Sequence, residues 1–433
     1  MILTIYTPEI TDRIRFIMDV VFTEHSGISY QLTESVSDFN KANFSISYAP
    51  QPVANEIFIW QHALLRENDV RQQLIEPEAW KDEITFFQSP VEQSMLPFDI
   101  FSFTFYLLSR YEEYLPHKTD KYNRFPGTES IAYQLGFLQK PLVDIHILKF
   151  AQELQKAIPE LKLKPKQPEY LATYDIDNAY AYKHKGVVRT LGGLLRPLLR
   201  LDWKELTERI SVLLNIKQDP FDSYKYIQTL QHKYRLKTYY FVLFSGISKY
   251  DRGLNPGNKS FCKLLIQLDK NEETGIHPSF SSASDKEKLK LEIKRLSVVL
   301  QKKITFCRSH FLLLNFPETY QNFIANGITE DFTLGYADQA GFRASTCKPF
   351  NFFNLSTNEE TKLRLYPLTY MEKTWQDYMK FSEEEGLILI KQLMDAVKSV
   401  SGTFISLWHN ETLGKKECRT FYEQTLDYFF DHN

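Results

Sequence analysis

With 433 residues, 43% hydrophobic and 15% aromatic, the chain has the length and apolar content for two or three domains with sizeable cores. Its formal net charge of -2 lacks the basic excess that tracks phosphates, so nucleic acid is not an expected partner. Four scattered cysteines, Cys262, Cys307, Cys347 and Cys418, form no C-x-x-C pair; they argue for reduced thiols in a cytoplasmic protein and against a cysteine-rich zinc site.

The opening segment from Met1 to Pro8 reads as strand and turn, without the basic and apolar regions of a signal peptide. No run approaches the roughly 18 apolar residues that span a bilayer. Strands are predicted at Ile2–Tyr6, Phe44–Tyr48 and Glu56–Trp60. An aromatic-rich helix is predicted from Phe98 to Leu107, and another from Asp144 to Ala157 with Ile145, Leu148, Phe150 and Leu154 on one stripe. After the first come Arg110, Glu112, Glu113, Asp120 and Arg124, read as a solvated or structurally paired network. The stretch from Pro159 to Pro168 holds three prolines and three lysines and is the expected linker. It divides a smaller N-terminal α/β domain, residues 1–160, from a second domain at 169–433.

The second domain alternates short apolar strands with longer helical patterns. Strands are predicted at Tyr170–Tyr174, Thr238–Phe244, Thr274–His277, Ile304–Cys307, Ile328–Asp331, Arg364–Leu368 and Thr403–Trp408. Helices are predicted at Ser223–Tyr234, Ser284–Lys302 and Glu384–Ser399. Repeated β-α units imply a parallel sheet, open or closed into a barrel, with reactive groups at the strands' carboxyl ends. An insertion at 183–208 combines Lys183, Lys185, Arg189, Arg196, Arg200 and Lys204 with Leu191, Leu194, Leu195, Leu198, Leu199 and Leu201. It is expected as a helical flap over the barrel mouth, with peripheral membrane contact as the alternative.

Several of these strands end in chemistry. Asp175 and Asp177 follow the first, and i, i+2 residues of a strand share a face. Two carboxylates so close require a cation or a proton, which suits a metal ligand beside a general base. Other strand ends carry Gly275-Ile276-His277-Pro278, Cys307-Arg308-Ser309-His310, Asp331, and Trp408-His409-Asn410-Glu411. One histidine at such a place is ordinarily a packed side chain. Three, with an arginine and paired aspartates, form a site.

This order of a D-x-D strand, G-x-H-P, an Arg-bearing strand end and a late W-H turn resembles the NodB-homology polysaccharide deacetylases, carbohydrate esterase family 4. The similarity is closest to a bacterial branch with an extra N-terminal α/β domain. The resemblance implies a distorted (β/α)7 barrel and metal-assisted removal of an N-acetyl group from an amino sugar of a glycan or glycan precursor. It implies Asp175 as catalytic base, Asp177 and His277 as ligands of a divalent metal (zinc, with cobalt or nickel as alternatives), Arg308 as the group orienting the base, Asp331 as the fourth-motif acid and His409 as general acid. Where the family has a second histidine, this chain has Ser281, a poor zinc ligand. His310 is the candidate replacement. Arg343, in the glycine-flanked loop 335–343, and Trp408 are the candidate substrate contacts. The competing reading is a barrel without catalysis that binds carbohydrate or serves as a scaffold.

Overall fold

The computed structural model describes residues 2–54, 56–163 and 167–431. The expected linker therefore includes residues 164–166, which lie outside the described residues. Near the N-terminus, β1 (Leu3–Tyr6), β2 (Tyr30–Thr33), β3 (Ser45–Ala49) and β4 (Ile57–Trp60) form a parallel sheet in the order β2-β1-β3-β4. A small antiparallel pair, β5 (Glu78–Trp80) and β6 (Glu83–Thr85), follows. The half-buried β2, Tyr-Gln-Leu-Thr, has no apolar run and went unpredicted.

The helix Ile100–Leu108 starts where Asp99 accepts from the backbone N–H groups of Phe101 and Ser102. Every residue in it is buried, as expected of a helix apolar all round. It lies between the two halves of the chain: Phe105 meets Phe353 edge-on with ring centroids 5.1 Å apart.

Among its described residues the second half builds nine strands: β7 (Glu169–Ile176), β8 (Lys237–Val242), β9 (Glu273–Ile276), β10 (Phe306–Cys307), β11 (Glu330–Asp331), β12 (Phe350–Asn354), β13 (Glu359–Leu365), β14 (Tyr370–Met371) and β15 (Thr403–His409). Their order is β12-β13-β11-β10-β9-β8-β7-β15-β14, with only the β12/β13 pair antiparallel. The strand predicted at Arg364–Leu368 begins earlier, at Glu359, because it pairs with the unpredicted β12.

The sheet is strongly curled. Tyr239 of β8 and Phe332, just after β11, have ring centroids 4.9 Å apart. With β9 and β10 between them, a flat sheet would hold them roughly 14 Å apart. The margins also approach each other through residues 366–371. There the Leu368 N–H donates to the Leu334 carbonyl (2.9 Å) and the Thr369 N–H to the Ile405 carbonyl (3.0 Å). Leu171, Phe241, Phe306, Phe332, Leu368 and Ile405 share the apolar cluster enclosed by this curl. Gly275 is required there, since a Cβ would sit 2.4 Å from the Phe306 ring.

The insertion forms two helices, Val187–Leu199 and Trp203–Leu213. It does not cover the cavity described below: none of its residues lines that cavity. No helix among the described residues is long and apolar enough to cross a membrane.

The charge-rich patch is buried ionic structure joining the halves. Glu113 accepts from Arg110 Nε (2.8 Å) and from Arg343 Nε (2.9 Å). Burial alone would raise the Glu113 carboxyl, but Arg343 and Arg110 outweigh it and hold it below the ordinary range. Replacing Glu113 by Gln leaves the buried Arg343 guanidinium without its counter-ion, while Arg110 keeps Glu112. We expect a loss of about 3–5 kcal/mol in unfolding free energy, read by urea denaturation; a loss under about 1 kcal/mol would contradict this role.

Candidate metal centre

Register brings the predicted residues together. Ile176, Val242, Ile276, Cys307 and Asp331 form one level row across five parallel strands. Asp177, His277 and Arg308 each lie one residue beyond that row, and His409 pairs with Asp175. Because side chains alternate along a strand, Leu407 and His409 face the cavity while Trp408 faces the outer core. The cavity is about 410 Å³ and is lined by Asp175, Asp177, His277, His310 and His409 among others.

Each histidine has its second nitrogen engaged. His277 Nδ1 hydrogen-bonds the Arg308 carbonyl, which fixes Nε2 toward Asp177 Oδ1 at 3.2 Å. His310 Nδ1 meets Asp251 Oδ1 at 2.9 Å, leaving Nε2 3.4 Å from Asp177 Oδ2. His409 Nδ1 meets Glu372 Oε1 at 2.6 Å, with Nε2 3.7 Å from Asp177 Oδ2. A carboxylate or carbonyl behind an imidazole is the usual device for orienting a metal ligand or a general acid.

Asp175 accepts from Arg308 Nη1 at 3.0 Å, while Arg308 Nε donates to the Phe332 carbonyl at 3.0 Å. The guanidinium also lies 4.5 Å from the Phe241 ring centre. Burial would raise the Asp177 carboxyl, yet His310, His277 and His409 together hold it well below the usual range. Burial likewise opposes protonation of His409, and Glu372 outweighs it, so the imidazole sits above its ordinary value.

Asp177, His277 and His310 place one ligand atom each within 4.8 Å of one another. In the tautomer whose Nδ1–H donates to the Arg308 carbonyl, His277 turns its Nε2 lone pair at Asp177 Oδ1, which is buried and has no hydrogen-bond partner. Two acceptors 3.2 Å apart call for a cation between them. Adjacent ligands of a tetrahedral zinc stand about 3.3 Å apart, from bonds of about 2.0–2.1 Å. The set fits a divalent ion, and a site with three protein ligands keeps a position open. Two nitrogens and one oxygen suit zinc, cobalt or nickel. Ser281, by contrast, is exposed and hydrogen-bonded to Lys288.

Three predicted residues lie elsewhere. Asp331 is fully buried away from the cavity, accepting from Tyr320 (3.1 Å) and the Thr333 N–H (2.9 Å), and burial raises its carboxyl to about 6. It anchors the turn whose Phe332 carbonyl holds Arg308. Arg343 is buried against Glu113 and does not line the cavity. Trp408 donates to the Tyr370 hydroxyl (2.9 Å) and packs on Tyr422.

Sequence reasoning missed Asp251, Glu372 and three cations on the cavity wall, Lys121, Arg124 and Lys373. Arg124 comes from the N-terminal half, bonded to the Phe311 carbonyl (2.6 Å) and Asp120. The cavity is therefore walled by both halves.

Comparison with known proteins adds the following. A family profile described as a family of unknown function (DUF7033) matches residues 3–159. No curated protein sequence matches. Among solved structures, the chain is similar to a "putative polysaccharide deacetylase from Mycobacterium smegmatis", with 12% identity, 61% of this chain and 85% of that one covered, and a TM-score of 0.39. The polysaccharide deacetylase Bc1974 from Bacillus cereus matches at 10% identity, 62% and 89% coverage, and a TM-score of 0.30. A mutant of a CE4 family pseudoenzyme with restored enzymatic activity matches at 11%, 60% and 64%, with a TM-score of 0.29. At these values the functional reading rests on the chain's own residues.

The site also carries a pH signature. Burial disfavours charge on His310, but Asp177 and Asp251 outweigh it and raise the imidazole from 6.5 to about 9. A folded-state value above the unfolded one contributes stability that is complete below pH 6.5 and lost as pH rises through about 9. In chelator-treated protein, wild type should exceed His310→Gln in Tm near pH 6 and lose that advantage by pH 10. A difference independent of pH would contradict the assignment.

Proposed function

We propose that the chain is a metal-dependent hydrolase that removes an N-acyl group, acetyl first among candidates, from an amino sugar of a glycan or glycan precursor. We read its curled sheet as a distorted (β/α)7 barrel of the NodB type. One observation carries the proposal: a three-ligand metal set lies between an arginine-held carboxylate and a carboxylate-held histidine.

A divalent ion held by Asp177, His277 and His310 would polarise an amide carbonyl and acidify a water. The chain's own residues account for the remaining chemistry. Arg308 takes Oδ1 of Asp175, leaving Oδ2 as the base that accepts the water's proton. Glu372 favours the protonated form of His409, whose Nε2 is directed into the cavity to deliver a proton to the departing amine. Leu312, Met371 and Leu407 supply an apolar wall for the acyl methyl, and the cavity volume suits a small ligand such as one sugar residue.

Binding alone needs neither an arginine-held base nor an opposed acid, so these pairings support catalysis over an inert carbohydrate-binding scaffold. We further propose that residues 1–160 are a domain whose Lys121 and Arg124 wall the cavity opposite the 169–433 domain. The four cysteines are all unpaired, which supports a cytoplasmic location.

The test is acetate release from a panel of N-acetylated amino sugars and oligosaccharides by zinc-, cobalt- or nickel-loaded protein. Asp175→Asn should lower turnover by about 10²–10⁴-fold while metal content stays unchanged. Absence of acetate release from every substrate by fully metal-loaded protein would overturn the proposal.

A further inference from the structure

Amphipathic helices normally turn their apolar stripe to the core. The two helices of the insertion do the reverse. In Val187–Leu199, the residues Val187, Val188, Leu191, Leu195, Leu198 and Leu199 share one face of the helical wheel and are 43–85% exposed. The opposite side packs inward: Pro197 is buried and Gly193 lies against the Arg209 guanidinium of the second helix. The surface continues through Leu201, Trp203, Ile210, Leu214 and Ile216, which are 41–72% exposed. Nearly half of the exposed large hydrophobic residues among the described ones fall within 187–216, a span of about 30 residues.

Charge decides between occupants. Arg196, Arg200 and Lys204 lie beside this face, while Lys183, Lys185 and Arg189 are bonded back to Asn215, Asn178 and the Gly253 and Arg252 carbonyls. The segment's acids are Asp202, Glu205 and Glu208, of which Glu205 is paired with Arg209, so it stays net basic in a chain whose net charge is -2. Among the described residues, Arg196, Arg200 and Lys204 make no hydrogen bond or ion pair through their side chains. A second copy docked isologously would bring two such basic clusters face to face. An anionic lipid surface is complementary to both features: apolar side chains enter the interfacial zone, Trp203 suits the headgroup level, and the cations meet lipid phosphates.

We propose that the chain docks peripherally on anionic membranes through the exposed faces of Val187–Leu199 and Trp203–Leu213. Both helices lie in the segment that joins the carboxyl end of β7 to β8. The proposal does not depend on the catalytic reading, and its test needs no substrate.

The experiment is flotation of the full chain with vesicles of phosphatidylcholine alone or mixed with phosphatidylglycerol. Trp203 emission and solution mass are followed in parallel. Wild type should float with the anionic vesicles at low salt, release as salt rises, and show a blue-shifted Trp203 contribution that Trp203→Phe removes. Leu195→Glu/Leu199→Glu should abolish flotation. Arg196→Gln/Arg200→Gln/Lys204→Gln should weaken it about 10²-fold. These side chains are exposed, so thermal unfolding should be unchanged in both variants. Failure of wild type to float at low salt would overturn the proposal, as would flotation that survives both variants. A dimer that Leu195→Glu/Leu199→Glu converts to monomer, without vesicle binding by wild type, would assign the face to a second copy instead.

Discussion

Two carboxylates that leave one strand end two residues apart, both enclosed by protein, cannot remain ionised without positive charge brought to them. Asp175 and Asp177 impose that constraint, and the surrounding structure answers it in two ways. Asp175 receives a guanidinium fixed by the Phe332 carbonyl and the Phe241 ring. Asp177 receives three imidazoles, each aimed by a hydrogen bond at its far nitrogen. The asymmetry separates the two acids chemically. One has a fixed organic cation on one oxygen and His277 Nε2 3.6 Å from the other; the second faces three imidazole nitrogens whose place a metal ion can share.

The fold supplies this arrangement through level strand ends. Parallel pairing without slippage from β15 to β11 places the successive functional residues on one rim, and the aromatic interior beneath keeps the curl tight enough for opposite strands to meet. The N-terminal half is part of the same construction. Its Glu113 neutralises Arg343, its helix Ile100–Leu108 is buried against β12, and Arg124 reaches the cavity wall. Removing that half would expose apolar surface and strip one side from the cavity.

Much of the site was legible because its residues end strands with clear apolar runs: Asp175, Asp177, His277, Arg308 and His409. His310 was legible only as an extra histidine near one of them. Its partner Asp251 sits in an irregular loop with no periodicity, and Glu372 follows a two-residue strand too short to leave a pattern. A histidine aimed at a site needs an acceptor for its other nitrogen, which would have justified a search for such acids. Trp408 was misplaced because neighbouring strand residues face opposite ways. Arg343 and Asp331 were misplaced because their buried partners, Glu113 and Tyr320, are distant in sequence or in an adjoining helix. The insertion's amphipathic pattern was evident, but no pattern says which face meets solvent.

The central claim is that Asp177, His277 and His310 together hold a divalent ion, with His310 taking the place left by Ser281. Anomalous diffraction at the zinc edge from zinc-soaked crystals tests it most directly. The account predicts one strong peak about 2.0–2.2 Å from an Asp177 carboxylate oxygen, His277 Nε2 and His310 Nε2. No peak in the cavity, or an ion bound there without His310, would contradict it.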